Sequence, residues 1–201
     1  MAGPAPDAET LHAALRALSD GDLVVYPGDL AYLLGADALR ESPIEQVYEA
    51  KKRPGRRPLP VAVADLDDMG RLVKLNDAAR ALAQRFLPGP LLLVLPAKPG
   101  LPDVLLGGGG SLGVTVPAQP AARALARSFG PLTATTAARE GDAAPQTLRD
   151  ARAAAGGAAR AFLDAGVLVG GRPTVVDATG PRAKVIREGT ISAAELGLHG
   201  P

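Results

Sequence analysis

Apolar positions along the chain alternate between helical spacing and short unbroken runs. Leu11, Ala14, Leu15 and Leu18 recur at helical spacing and predict a first helix over 7–19, broken by Asp20-Gly21-Asp22. The run 23–26 is apolar throughout, ends at Pro27 and reads as a strand. A helix is expected over 42–52, with Ser42 as cap, Pro43 in the first turn, Ile44, Val47 and Tyr48 on one side, and Pro54-Gly55 as the stop. A strand over 59–64 precedes an Asp-rich stretch holding one or two helical turns. Asn76 caps a helix over 76–86 that Pro88-Gly89 ends. The run 91–96 is entirely apolar, which predicts a strand buried on both faces. Downstream, strands are expected over 112–116, 132–136, 161–164, 174–177 and 184–187, with helices over 120–129 and 147–155. No repeat and no linker interrupts the series, and the alternation of helices with short strands argues for a single α/β domain with a mixed sheet.

Composition narrows the chemistry. Of 201 residues, 47% are hydrophobic and 21% charged, a globular rather than disordered balance. Aromatics are 3% and Trp is absent, so Ala, Val and Leu must build the core. Lys+Arg 22 against Asp+Glu 21 leaves a formal charge of +1, which excludes a surface that is uniformly a nucleic-acid trap. The absence of Cys excludes a disulfide scaffold, a thiolate metal site and a Cys nucleophile. His12 and His199 lie near opposite ends, which argues against a His-based metal site or a Ser-His-Asp triad, so no metal ligand is expected from the protein. The first ten residues lack the basic start and apolar centre of a secretory signal, and no apolar run approaches the ~20 residues that span a bilayer. A cytoplasmic protein without a membrane partner is the expectation.

Three segments carry candidate chemistry. From Lys51 to Arg57, five of seven residues are cationic, in an otherwise nearly neutral chain. Such cations complement a helix C-terminus and are tolerated in a solvated loop. They also suit a polyanion clamp, because Arg forks match phosphate oxygens and the two prolines stiffen the loop. The segment 26–35 is a strand end leading into a Gly-bearing loop, the usual place for a ligand in an α/β sheet and equally an ordinary turn. The segment 132–141 offers three Thr hydroxyls and Arg139, as hydrogen-bonding groups or as a Thr-rich strand. The four glycines at 107–110 lack the Gly-Lys-Ser/Thr of a P-loop and read as a mobile connection or a lid.

In order, YPGDLAYLLG (26–35), KKRPGRRPLP (51–60), FLPGPLLLVLP (86–96), LGVTVPAQP (112–120), PLTATTAAREG (131–141), PTVVD (173–177) and REGTI (187–191) resemble the successive motifs of the YrdC/Sua5 family, the threonylcarbamoyl-AMP synthases, in its short form. The resemblance spans about 20–192 and implies a twisted mixed sheet flanked by helices around a large basic cavity. It implies a nucleotidyltransferase that joins L-threonine and bicarbonate into a carbamate, which attacks the α-phosphate of ATP to give threonylcarbamoyl-AMP and pyrophosphate. Mg2+ would accompany the nucleotide, and a tRNA threonylcarbamoyl-transfer machinery would move the group onto adenosine beside the anticodon. By the same resemblance Lys51 and Arg53 are catalytic; Lys51, Arg53, Arg57, Ser111, Thr136 and Arg187 bind ATP; Tyr32, Ala134 and Thr174 meet the other substrate.

The departures gather on the amino-acid side. Gly28 and Leu30 stand for threonines, Leu33 for a glycine, Thr115 for an arginine expected to hold the threonine carboxylate, Ala138 for an asparagine and Pro173 for a serine. Arg139 and Arg172 are the candidates for a shifted arginine. Two alternatives stay open: a divergent paralogue acting on another carbamate or acyl substrate, and a non-catalytic module binding tRNA or double-stranded RNA. Few aromatics are available to stack on bases, so RNA contact would run through the backbone and depend on salt.

Overall fold

The computed structural model describes residues 6–52 and 55–198. In chain order the elements are α1 (Ala8–Asp20), β1 (Leu23–Pro27), β2 (Tyr32–Gly35), α2 (Glu41–Lys51), β3 (Val61–Ala62), α3 (Leu66–Leu72), α4 (Asp77–Phe86), β4 (Leu91–Pro96), α5 (Asp103–Leu106), β5 (Ser111–Thr115), α6 (Pro120–Phe129), β6 (Leu132–Thr133), β7 (Thr135–Thr136), α7 (Leu148–Ala155), β8 (Ala159–Phe162), β9 (Thr174–Asp177), β10 (Lys184–Arg187) and α8 (Ala193–Leu196).

The strands divide between two mixed sheets, ordered β7-β2-β1-β8 and β10-β9-β4-β5-β3-β6. In the first, β1 runs antiparallel to β2 and parallel to β8. In the second, β4 runs antiparallel to β5 and parallel to β9, while β3 lies between β5 and β6. The segment 132–136, expected as one strand, is where the sheets meet. Leu132 and Thr133 pair with β3, Thr135 and Thr136 pair with β2, and Ala134 between them donates its N–H to the Pro60 carbonyl at 2.7 Å. Buried Thr133 ties the seam further: its Oγ1 accepts from the Ala36 N–H at 2.9 Å and donates to the Leu34 carbonyl at 3.1 Å. The Tyr26 hydroxyl donates to the Thr133 carbonyl at 2.9 Å, so its burial leaves no unmet polar group.

Local signals set the helix ends. Asn76 Oδ1 accepts from the Ala79 N–H at 2.8 Å, and its Nδ2 donates to the Ala178 and Gly180 carbonyls, so one cap starts α4 and anchors it beside β9. Pro120 occupies the first turn of α6, capped by Gln119. The start of α2 differs from expectation: Arg40 is the N-cap without a side-chain bond, and Ser42 and Pro43 lie within the first turn.

A main core spans both sheets, and a smaller cluster lies under α1 and α6 against Val24 and Tyr26. Leu91, Leu93 and Leu95 are fully buried, each worth about 1.5–3 kcal/mol of transfer free energy. Leu92, Val94 and Pro96 on the other face of β4 are only half-buried, contrary to the expectation of burial on both faces.

Candidate active site at the seam of the two sheets

A cavity of about 440 Å³ opens where the sheets meet. That volume falls within the range of about 300–1,000 Å³ usual for small-molecule sites. Its walls come from the 28–33 turn, Lys51 at the end of α2, Leu92 on the open face of β4, Thr115, the 134–136 seam, Glu140, the 171–175 segment and Arg187. A recess of about 210 Å³ shares Gly28, Asp29, Leu30 and Pro90 with it and reaches Gln119 and the 167–169 loop. The cavity accounts for the half-exposure of Leu92: an apolar side chain faces a cavity as readily as a core.

Lys51 is 3% exposed, and its ammonium is held by the protein. Nζ donates to the Thr136 carbonyl at 2.8 Å and the Ala138 carbonyl at 2.6 Å, and lies 3.3 Å from Thr136 Oγ1. A buried cation is tolerated when its donors are met in this way. Lys52 ends α2 in the left-handed region at φ 47°, and the Glu140 N–H donates to the Lys51 carbonyl at 2.9 Å. The end of α2 is therefore stitched to the turn that follows β7.

Beyond Lys52, Arg53 lies outside the described residues. Arg56 pairs with Glu45 at 2.9 Å, both side chains exposed. Arg57 is exposed and does not line the cavity; its carbonyl accepts the Tyr48 hydroxyl, which also reaches the Val104 carbonyl. The Leu59 N–H donates to the Leu105 carbonyl at 3.0 Å. Gly107, the first of the four glycines, backs this segment: a Cβ on it would lie 2.7 Å from the Pro58 nitrogen and 2.8 Å from the Arg57 carbonyl carbon. Gly107, at φ +57°, thus sets how closely α5 supports the cationic loop.

On the opposite rim, the 187–191 turn presses on the 172–174 segment. A Cβ on Gly189 would collide with the Arg172 carbonyl oxygen and stand 2.6 Å from the Pro173 carbonyl carbon. The Thr190 N–H donates to the Arg172 carbonyl at 3.0 Å. Thr174 is fully buried and does not line the cavity; its Oγ1 donates to the Ile191 carbonyl and accepts from the Gly189 N–H at 2.9 Å. The stitch brings Arg172 and Arg187 into one cavity wall. Burial, and then the neighbouring Arg172 charge, pull the Arg187 guanidinium below its ordinary pKa.

Of the residues singled out by sequence, Lys51, Ala134, Thr136 and Arg187 line the same cavity. Ser111 does not: it opens β5 opposite Pro96. Tyr32 is fully buried and does not line the cavity; its one hydroxyl proton is shared between Asp164 Oδ1 at 2.7 Å and the Gly166 carbonyl at 2.8 Å, and its oxygen accepts from the Ala165 N–H at 3.0 Å. Arg139 is exposed and off the cavity wall, whereas Arg172 is on it. Among the departures, Gly28, Leu30, Leu33, Thr115 and Pro173 line the cavity, and Ala138 supplies a carbonyl to Lys51. Gly28 and Leu33 compensate each other, since a Cβ at 28 would fall 2.7 Å from Leu33 Cδ1. Asp29, overlooked in the sequence, faces both cavity and recess; its Oδ1 accepts the Gln119 N–H at 2.8 Å, and burial raises its carboxyl above the ordinary range.

Residues 16–189 match the family model for the Sua5/YciO/YrdC domain, described as telomere recombination. The chain belongs to this family. Curated relatives named threonylcarbamoyl-AMP synthase include one from Pyrococcus abyssi, 33% identical over 89% of this chain and 54% of that protein, and one from Chromobacterium violaceum, 35% identical over 74% and 76%. The chain spans 54% of the P. abyssi relative, which is substantially longer, and the match to one from Methanocaldococcus jannaschii spans 62% of that protein and 66% of this chain. The solved structure of P. abyssi Sua5 complexed with L-threonine superposes with a TM-score of 0.88 at 32% identity, covering 92% of this chain and 56% of that one. E. coli YciO superposes equally well, at 0.88, with 22% identity over 98% of this chain and 97% of that one, and shares the fold.

Proposed function

We propose that the chain is a threonylcarbamoyl-AMP synthase acting in tRNA modification. The supporting observation is that Lys51, Ala134, Thr136 and Arg187, scattered through the sequence, line one cavity in a chain 32% identical to a Sua5 protein crystallised with L-threonine. In this reading the threonine amine and bicarbonate give a carbamate and water. A carbamate oxygen then attacks the α-phosphorus of ATP, and the bond to pyrophosphate breaks. Chemistry of this kind depends on positioning and charge neutralisation at the phosphates and needs no histidine base. Lys51 holds the 136–138 turn in place from within; Arg187 and the cationic loop carrying Arg53 and Arg57 oppose phosphate charge. In this reading Mg2+ accompanies the nucleotide.

The reading places the protein in the cytoplasm, handing its product to a tRNA threonylcarbamoyl-transfer machinery. Among the described residues no helix is long and apolar enough to cross a membrane. The assay is pyrophosphate release from ATP, Mg2+ and bicarbonate with and without L-threonine. Release that requires threonine is expected; ATP binding without threonine-dependent release would refute the reading and favour another carbamate or acyl substrate.

A further inference from the structure

The cavity is lined by three described cations, and their hydrogen bonding differs sharply. The Lys51 ammonium donates to two carbonyls of the protein. Among the described residues Arg187 reaches only the Pro173 carbonyl, at 3.5 Å. The Arg172 side chain has no hydrogen-bond or ion-pair partner among the described residues. Backbone stitching at Gly189 and Thr190 nonetheless fixes Arg172 and Arg187 on the same wall. Holding two like charges together is unfavourable; burial first, and then the Arg172 charge, pull the Arg187 guanidinium below its ordinary pKa. An anion seated between them reverses the sign of the interaction, and guanidinium forks match planar carboxylate and tetrahedral phosphate oxygens alike.

We propose that Arg172 joins Arg187 in a two-guanidinium clamp for a substrate oxyanion in this cavity. The clamp rests on reading the cavity as the substrate site of the proposed synthase. Its ligand is an oxyanion of chemistry shared by the amino-acid carboxylate and the nucleotide phosphates, and of the two arginines considered for the shifted role Arg172 is the one on the cavity wall.

Direct binding tests the clamp without requiring turnover. Wild type, Arg172→Ala, Arg172→Lys and the exposed-surface control Arg182→Ala would be titrated calorimetrically with L-threonine, L-threoninol, Mg-ATP and inorganic pyrophosphate. Loss of a charge-assisted hydrogen bond is expected to raise Kd about 10- to 100-fold. Arg172→Lys keeps the charge without the fork and should recover only part of the loss. A loss confined to L-threonine, with threoninol unmoved, assigns the carboxylate; a loss for Mg-ATP and pyrophosphate assigns a phosphate. The proposal is overturned if Arg172→Ala leaves all of these within about twofold, if Arg182→Ala weakens them equally, or if wild type binds none of the oxyanions. Failure of threonine-dependent pyrophosphate release with an intact Arg172 effect would count against the proposed activity and not against the clamp.

Discussion

Replacing Lys51 with Met separates a structural ammonium from a ligand-facing one. The substitution keeps the long unbranched stem and removes the donors to the Thr136 and Ala138 carbonyls, at 2.8 and 2.6 Å. Each hydrogen bond from a charged donor contributes about 1.5–3 kcal/mol, so the gross loss is about 3–6 kcal/mol. Relief of the desolvation of a buried ammonium offsets part of that. A net destabilisation of about 2–4 kcal/mol is expected, against a typical total of about 5–15 kcal/mol. For a domain of this size each kcal/mol moves Tm by about 2–4 °C, so the shift should be about 5–15 °C. Urea unfolding followed by circular dichroism, with calorimetry for Tm, measures it. Thr136→Val, which removes only the 3.3 Å hydroxyl contact, should cost less than about 1 kcal/mol. A Lys51→Met protein within about 0.5 kcal/mol of wild type that had nevertheless lost ATP binding would refute the reasoning, because the ammonium would then serve the ligand and not the 136–138 turn.

Four further outcomes are expected. Burial first, and then the Asp164 carboxylate, push the Tyr32 phenol up to about 12; the phenolate absorbance that Tyr32→Phe removes should titrate there, and a midpoint near the ordinary value of about 10 would contradict the buried network. The Tyr32 hydroxyl in turn holds the Asp164 carboxyl below its usual range, so that stabilisation is present above about pH 4 and is lost as pH falls through the depressed value; the stability gap between wild type and Tyr32→Phe should narrow on acidification. Gly107→Ala should weaken Mg-ATP or pyrophosphate binding through displacement of the 56–58 backbone, while Gly110→Ala, with nothing within 4 Å of its Cβ, should not; equal effects in both titrations would remove Gly107 from its supporting role. Because burial raises the Asp29 carboxyl, its ionisation opposes folding as pH rises through the folded value, so Asp29→Asn should be the more stable protein at pH 7 and lose that advantage in acid, checked by urea unfolding at both pH values.

The parts of the fold that were legible in sequence are those whose signal is local. Asn76 before α4, Pro120 in α6 and the compact runs of β9 and β10 each carry their own boundary, and those elements fall where expected. β2 falls in a segment whose sequence reads as a loop, because its strand character depends on antiparallel pairing with β1 across a turn closed by the Gly28 N–H and the Ala31 carbonyl. The break at Ala134 was hidden because Leu132 to Thr136 suits a strand in either sheet; only the partners, β3 on one side and β2 on the other, divide it. The apolar run of β4 could not tell a core face from a cavity face, since Leu92 lines a cavity with a side chain as apolar as buried Leu93.

The candidate site shows the same division between local and tertiary information. Lys51, Ala134, Thr136 and Arg187, named through the family resemblance, line one cavity, whereas the Thr174 hydroxyl is engaged within the 187–191 turn, a tertiary contact with no local signal. Arg172 had no local signal beyond being a loop arginine, and its place depends on the close approach of Gly189 some seventeen residues away. That approach redistributes charge across the site. Lys51 is held internally by the 136–138 turn, while Arg172 and Arg187 line the same cavity along with Leu30, Leu33, Leu92 and Val175. An apolar lining weakens competition from water and strengthens each remaining electrostatic contact. In the proposed synthase, anionic groups would therefore be drawn toward the Arg172–Arg187 rim, and the compensated pair Gly28 and Leu33 would shape the uncharged remainder of the substrate pocket.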